Sequence, residues 1–175
     1  MIFLYKEENT LTDSGRNFIK QLVKGRVAET LIEELFLNAG YGVFRFGMEN
    51  TVPGVVKYLR YDKSDTATNI RRMPDFVIQR KNQRPYFIEV KFRANEYFSI
   101  DDLKERDYPY KECLFIIISM KHIKCISYQE LEAGDRISPE PENRKFYLGN
   151  RSEFQLDKNI IIQFLDLVDN FFNKK

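Results

Sequence analysis

The spacing of apolar positions changes several times along the chain, and each change marks an element. Between Asp13 and about Asn38, the residues Phe18, Leu22, Ala28, Ile32, Leu35, Phe36 and Ala39 fall on one broad face at helical spacing. Asp13 or Ser14 can cap this helix, Gly40 can stop it, and Gly25 is a candidate interruption. Residues 41–48 read as a strand, with Val43 and Phe44 beside an alternating Arg45 and Phe46. Residues 50–72 have no clear period and are polar and basic; connections of that length tend to be functional or mobile.

Residues 75–79 and 86–92 read as two strands, with 81–85 as the turn between them. A short helix is predicted over 101–106, begun by Ser99 or Asp101. Strands over 113–119 and 122–128 follow, joined by a two-residue turn at Met120 and Lys121. That register sets Ile116 opposite Cys125 and Cys113 opposite Tyr128, so the two cysteines point to opposite faces and are expected as buried free thiols. A helical turn over 129–132 precedes an irregular stretch, 134–150, that contains Pro139 and Pro141. An apolar amphipathic helix over 159–172 is expected to pack back on the core. Helix, three strands, helix, two strands, helix predicts an α/β architecture, a mixed β-sheet flanked by helices.

Composition changes this picture little. The 175 residues suit one domain, and 43% hydrophobic with 31% charged residues is ordinary for a globular chain. No apolar run reaches the length of a membrane span, and the N-terminus has only four apolar residues before Lys6, so a cytoplasmic protein without membrane contact is expected. The overall charge of +2 names no partner, but its distribution is uneven. Residues 54–93 hold ten basic residues against four acids, an excess of six, which leaves −4 on the remainder. Such a segment can attract a polyanion or can be a solvated surface.

The candidate chemistry lies in the run Tyr-Phe-Ile-Glu-Val-Lys-Phe, 86–92. A period of two puts Glu89 and Lys91 on one face with Phe87, and Ile88, Val90 and Phe92 on the other, the core face. Two charges inside a central strand are costly unless compensated. If Gln79 and Pro85 flank the turn as a pair, Asp75 lies opposite Glu89. Two facing carboxylates without His or Cys suit magnesium or manganese. Lys91 could orient water or stabilise developing negative charge. On the first helix, Glu29 lies roughly 20° from Phe36 around the axis, Glu33 roughly 60° and Glu34 roughly 160°, so Glu29 is the acid nearest the inward stripe.

Pro74–Asp75, thirteen residues, then Glu89–Val90–Lys91 resembles the PD-(D/E)XK nuclease superfamily, which includes restriction endonucleases and four-way-junction resolvases. The resemblance covers about residues 26–128 and implies a restriction-endonuclease-like core in αβββαβ order. It implies Asp75 and Glu89 as metal ligands, the Val90 carbonyl as a third, Lys91 as the catalytic lysine and Glu29 as the helix acid. Residues 50–72 and those after Tyr128 match no subfamily pattern.

The function expected is divalent-metal-dependent hydrolysis of phosphodiester bonds, in DNA and by internal cleavage, with Mg2+ or Mn2+. The alternative is a nucleic-acid-binding module of the same fold without turnover, within a repair or defence assembly. A plainer alternative reads Asp75, Glu89 and Lys91 as an ion-pair ladder on an exposed hairpin. Arg93 continues the Glu89–Lys91 face and is the first candidate for a phosphate contact, with Arg71 and Arg72 next; a solvated role is equally open for each. Tyr97 and Phe98 could stack on a base or pack on the sheet. The lone His122, at a hairpin turn, is expected to be exposed rather than catalytic. A homodimer fits the two cuts a duplex requires, and the apolar C-terminal helix could serve it or could be core.

Overall fold

The computed structural model describes residues 12–51, 54, 56–59, 61–103 and 108–173. Its first element, α1 (Asp13–Asn38), is capped by the Thr12 side chain, which accepts from the Gly15 N–H at 3.1 Å, one residue before the expected caps. The helix runs through Gly25 without a break. Gly40, at φ 81°, ends it: its N–H donates to Leu37 and the Tyr41 N–H reaches back to Phe36.

Five strands form one mixed sheet in chain order: β1 (Gly42–Arg45), β2 (Phe76–Gln79), β3 (Tyr86–Phe92), β4 (Leu114–Ile118) and β5 (Ile123–Ser127). Only β3 and β4 run parallel; the other neighbours are antiparallel. The connection from β1 to β2 holds three short helices, α2 (Met48–Thr51), α3 (Val56–Leu59) and α4 (Asp65–Arg71), where the sequence showed no period. Of the helix expected at 101–106, a 3-10 turn at Ile100–Asp102 is present, and residues 104–107 lie outside the described residues. After β5 come α5 (Tyr128–Glu132), two 3-10 turns and α6 (Lys158–Asn173). No helix among the described residues is long and apolar enough to cross a membrane.

The sheet is covered on both faces. Ile88 and Val90 of β3, Ile116 and Ile118 of β4 and Cys125 of β5 join Ile32, Leu35 and Phe36 of α1 and Val168 of α6 in one apolar layer. Phe115, Ile117, Cys113 and Ile126 face a second layer built by Phe98, Leu103, Tyr108, Leu131 and Phe146. The β4–β5 register is the expected one, and Ser119 closes its hairpin by exchanging hydrogen bonds with His122. The cysteines therefore sit in opposite layers, both buried and free.

Only the second half of α1 is buried: Phe18 is 70% and Leu22 53% exposed, although both were expected on the packed face. The cause is length. A 26-residue helix extends about 39 Å at 1.5 Å per residue, whereas the seven residues of β3 extend about 23 Å.

One buried polar cluster ties the far end of the sheet together. Glu96, with φ 59° in the left-handed region, is 5% exposed and accepts from the Lys124 ammonium at 3.1 Å. His122 Nδ1 lies 2.9 Å from the same carboxylate, and its ring stacks on Tyr147, so His122 is engaged rather than the exposed turn residue expected. Burial alone would raise the Glu96 carboxyl, but bonding to His122 and Lys124 outweighs it and holds the group below its ordinary range. A depressed acid contributes stability that is present above its unfolded pKa and is lost as pH falls through the folded value. Glu96→Gln, which leaves the Lys124 charge buried without its counter-ion, should destabilise the protein by about 3 kcal/mol at neutral pH. The loss should shrink as the parent is acidified below about pH 4.5. Chemical denaturation across pH 3–8 checks this; equal stability of parent and variant at pH 7 would show that the cluster holds nothing.

Candidate functional site

The register of β2 on β3 pairs Phe76 with Ile88 and Ile78 with Tyr86, so its continuation sets Asp75 opposite Glu89. Asp75 lies just before β2, held there by backbone bonds: its carbonyl accepts from the Phe46 and Gly47 N–H groups at 2.9 and 3.3 Å. Its side chain turns across the hairpin, and Oδ2 accepts from the Val90 N–H at 2.7 Å. The same register places Pro74 opposite Val90, and a proline has no N–H to offer the Val90 carbonyl. One dipeptide therefore supplies a carboxylate and withholds the donor that would complete the ladder at Val90.

Glu89 and Lys91 share the strand face opposite Ile88 and Val90 and form an ion pair. The Glu89 side chain is 15% exposed and that of Lys91 34%, so the pair lies at the boundary of solvent. Burial pushes the Asp75 carboxyl up, and the negative charge of Glu89 pushes it further; Lys91 and the Val90 N–H act against them without reversing the shift. Glu29 adds the smallest contribution, so its charge reaches Asp75. Burial would lower the Lys91 ammonium, but Glu89 and Asp75 more than reverse this and keep it cationic. Tyr108, buried beside these acids, has its hydroxyl pushed up by burial, Cys113 and Glu89, and it stays a neutral donor. It donates to the Arg72 carbonyl at 3.4 Å, and Tyr110 donates to that of Asn69 at 3.2 Å. Two tyrosines thus brace the end of α4 that leads into Asp75. Sequence reasoning missed both, because their role depends on a contact some forty residues away.

The remaining candidates are placed differently from one another. Glu29 forms an ion pair with Arg26 at 3.0 Å, and Glu33 with Arg45. Among the described residues no three His, Cys, Asp or Glu side chains converge as a metal cage, so Glu29 does not join Asp75 and Glu89 directly. Arg71 is turned inward: Nη1 donates to the Leu59 and Asp62 carbonyls at 2.6 Å each. Arg93 sits 3.6 Å from Asp102 and donates to the Phe92 carbonyl. A cavity of about 590 Å³ abuts this sheet face at Val77 and Phe87. Its wall carries Glu112, Glu130, Asp135 and Glu153 against Arg84 and Arg151, a lining that repels phosphate.

No family model and no curated protein matches the chain. Among solved structures, the chain is similar to Hjc, a Holliday junction resolvase from Archaeoglobus fulgidus, an archaeal hyperthermophile. The identity is 16%, the match covers 79% of this chain and 98% of that one, and the TM-score is 0.43. A likeness of that degree assigns no function, and the chemistry rests on the side chains themselves.

A raised acid contributes stability that is complete below its unfolded pKa and is lost as pH rises through the folded value. The metal-free protein should therefore lose stability as pH climbs from the ordinary carboxylate range and Asp75 ionises beside Glu89. Asp75→Asn, whose amide oxygen can still accept from Val90, should remove that loss. Its melting temperature in EDTA should exceed the parent's at pH 8 and match it near pH 4. Parallel melting curves across this range would mean that the two carboxylates do not strain each other.

Proposed function

We propose that this chain is a divalent-metal-dependent nuclease that hydrolyses phosphodiester bonds within DNA. The observation that carries the reading is the pair of opposed, partly buried carboxylates, Asp75 and Glu89, with the Lys91 ammonium alongside. Two like charges in a desolvated place call for a cation, and the donors here are all oxygen. A small hard cation that keeps several waters needs only one or two carboxylates from the protein. Asp75, Glu89 and the Val90 carbonyl would hold it, with Mg2+ or Mn2+ as the candidates. When bound, it would supply Lewis-acid polarisation of the phosphate and make water more acidic.

The chain's own residues divide the remaining work. Lys91, fixed by Glu89, presents positive charge where negative charge develops on the phosphate, and it can orient the attacking water. Glu29 would act from α1 through its charge on Asp75. Asp75 holds its position through Val90, Phe46 and Gly47, so a bound strand need not reorganise the site. Arg72, three residues before Asp75 in sequence, and Arg93, two residues after Lys91, are the proposed phosphate contacts; Arg71 serves the fold of the connection instead. Two copies would serve the two cuts of a duplex, and Leu167 and Phe171, one helical turn apart on α6 and both exposed, give an apolar patch for such pairing.

Lys91→Ala should lower single-turnover cleavage by about 10²- to 10³-fold in Mg2+. Stabilisation of the fold by Mg2+ should survive, because lysine is not a ligand, and DNA binding should fall only slightly. The measurement is quenched-flow cleavage and equilibrium binding on the same labelled DNA. A variant that cuts at the parent rate would remove Lys91 from catalysis. A parent that cuts no tested DNA or RNA would replace the enzyme with a binding module.

A further inference from the structure

The connection between β1 and β2, which leads into Asp75, exposes two tyrosine rings. Tyr58 is 72% exposed and Tyr61 85%, the most exposed large rings among the described residues. They lie three residues apart in Lys-Tyr-Leu-Arg-Tyr-Asp-Lys, 57–63, where aromatic and basic residues alternate. Residues 54–72 hold five basic residues against two acids.

The backbone carrying Tyr61 is fixed. The Arg71 guanidinium donates to the Leu59 and Asp62 carbonyls, on both sides of it, and its other nitrogen lies 3.2 Å from the Thr68 hydroxyl. Asp62 accepts from the Ser64 N–H at 2.8 Å, and Ser64 caps α4. A guanidinium committed to three oxygens of its own chain is a bracket for this turn. The bracket also places the turn, because Arg71 precedes Asp75 by four residues, a span of at most about 14 Å.

We propose that Tyr58 and Tyr61 form a stacking platform for unpaired bases, so that the protein prefers DNA with a single-stranded segment over plain duplex. The proposal takes the identity of the strand from the nuclease reading but does not depend on cleavage. Each base has a flat face that a phenol ring can cover, and the faces are accessible only where bases are not already stacked in a duplex. A tyrosine on a braced backbone has only two side-chain torsions to lose on stacking. The surrounding positive charge draws the backbone in without reading sequence.

The test uses the full chain in EDTA, where nothing is cut, with a forked DNA whose single-stranded tail carries 2-aminopurine and a blunt duplex of equal length. The parent should quench the 2-aminopurine, as stacking does. Tyr58→Ala and Tyr61→Ala should each weaken binding of the fork about tenfold and relieve the quenching, with blunt-duplex binding unchanged. Tyr58→Phe and Tyr61→Phe keep the ring and should behave as the parent. A phenylalanine loss as large as the alanine loss would show a hydroxyl–phosphate contact and overturn stacking, and so would equal losses on fork and duplex. A parent that leaves the tail unquenched overturns the proposal whether or not the alanine variants fold. The two readings separate cleanly. A parent that cuts DNA in Mg2+ without quenching keeps the nuclease and loses the platform, and one that quenches without ever cutting does the reverse.

Discussion

The hydrogen bond from the Val90 N–H to Asp75 Oδ2 joins the two halves of the site, and much else is arranged to permit it. It replaces a rung of the β2–β3 ladder with a side-chain contact, which Pro74 makes necessary by breaking regular pairing at that point. The Asp75 backbone is anchored by Phe46 and Gly47, just beyond β1, and the preceding helix is braced by Tyr108 and Tyr110. The bond brings a carboxylate into a desolvated position next to Glu89, where its charge is unfavourable. The fold thus stores electrostatic repulsion at one spot and supports it from three elements, as expected of a site organised for a ligand rather than for stability.

The two layers of the sheet serve different ends. The α1 and α6 layer is almost wholly aliphatic and aromatic and supplies the ordinary driving force of burial. The other layer mixes apolar packing with the Asp75–Glu89–Lys91 group near β2 and β3 and the Glu96–His122–Lys124 cluster beyond them. In the second cluster each charge has a counter-charge, so it locks the structure. In the first, two acids share one lysine, and burial together with the Glu89 charge makes ionisation of Asp75 unfavourable.

Much of this was legible in the sequence. Alternation in residues 86–92 gave the face of Glu89 and Lys91, and counting across the turn gave the opposition of Asp75 and Glu89, because register follows from turn length alone. The β4–β5 hairpin was readable for the same reason. What stayed hidden depends on distance in sequence. The exposure of Phe18 and Leu22 reflects how far the sheet extends beneath α1, and helical spacing carries no information about that. Arg71 looks like any surface arginine until two carbonyls close around it. Glu96 and Lys124 lie twenty-eight residues apart, and neither signals in the sequence that the other will be buried with it.

The placement of the cysteines has a consequence for the environments this chain can tolerate. Cys113 and Cys125 are separated by the thickness of the sheet, and burial raises both thiols far above the range in which a thiolate forms. They cannot crosslink to each other within the fold, and they present no nucleophile to an oxidant or a foreign disulfide. Once folded, the domain therefore keeps both thiols out of reach of disulfide exchange, and its native contacts need no crosslink.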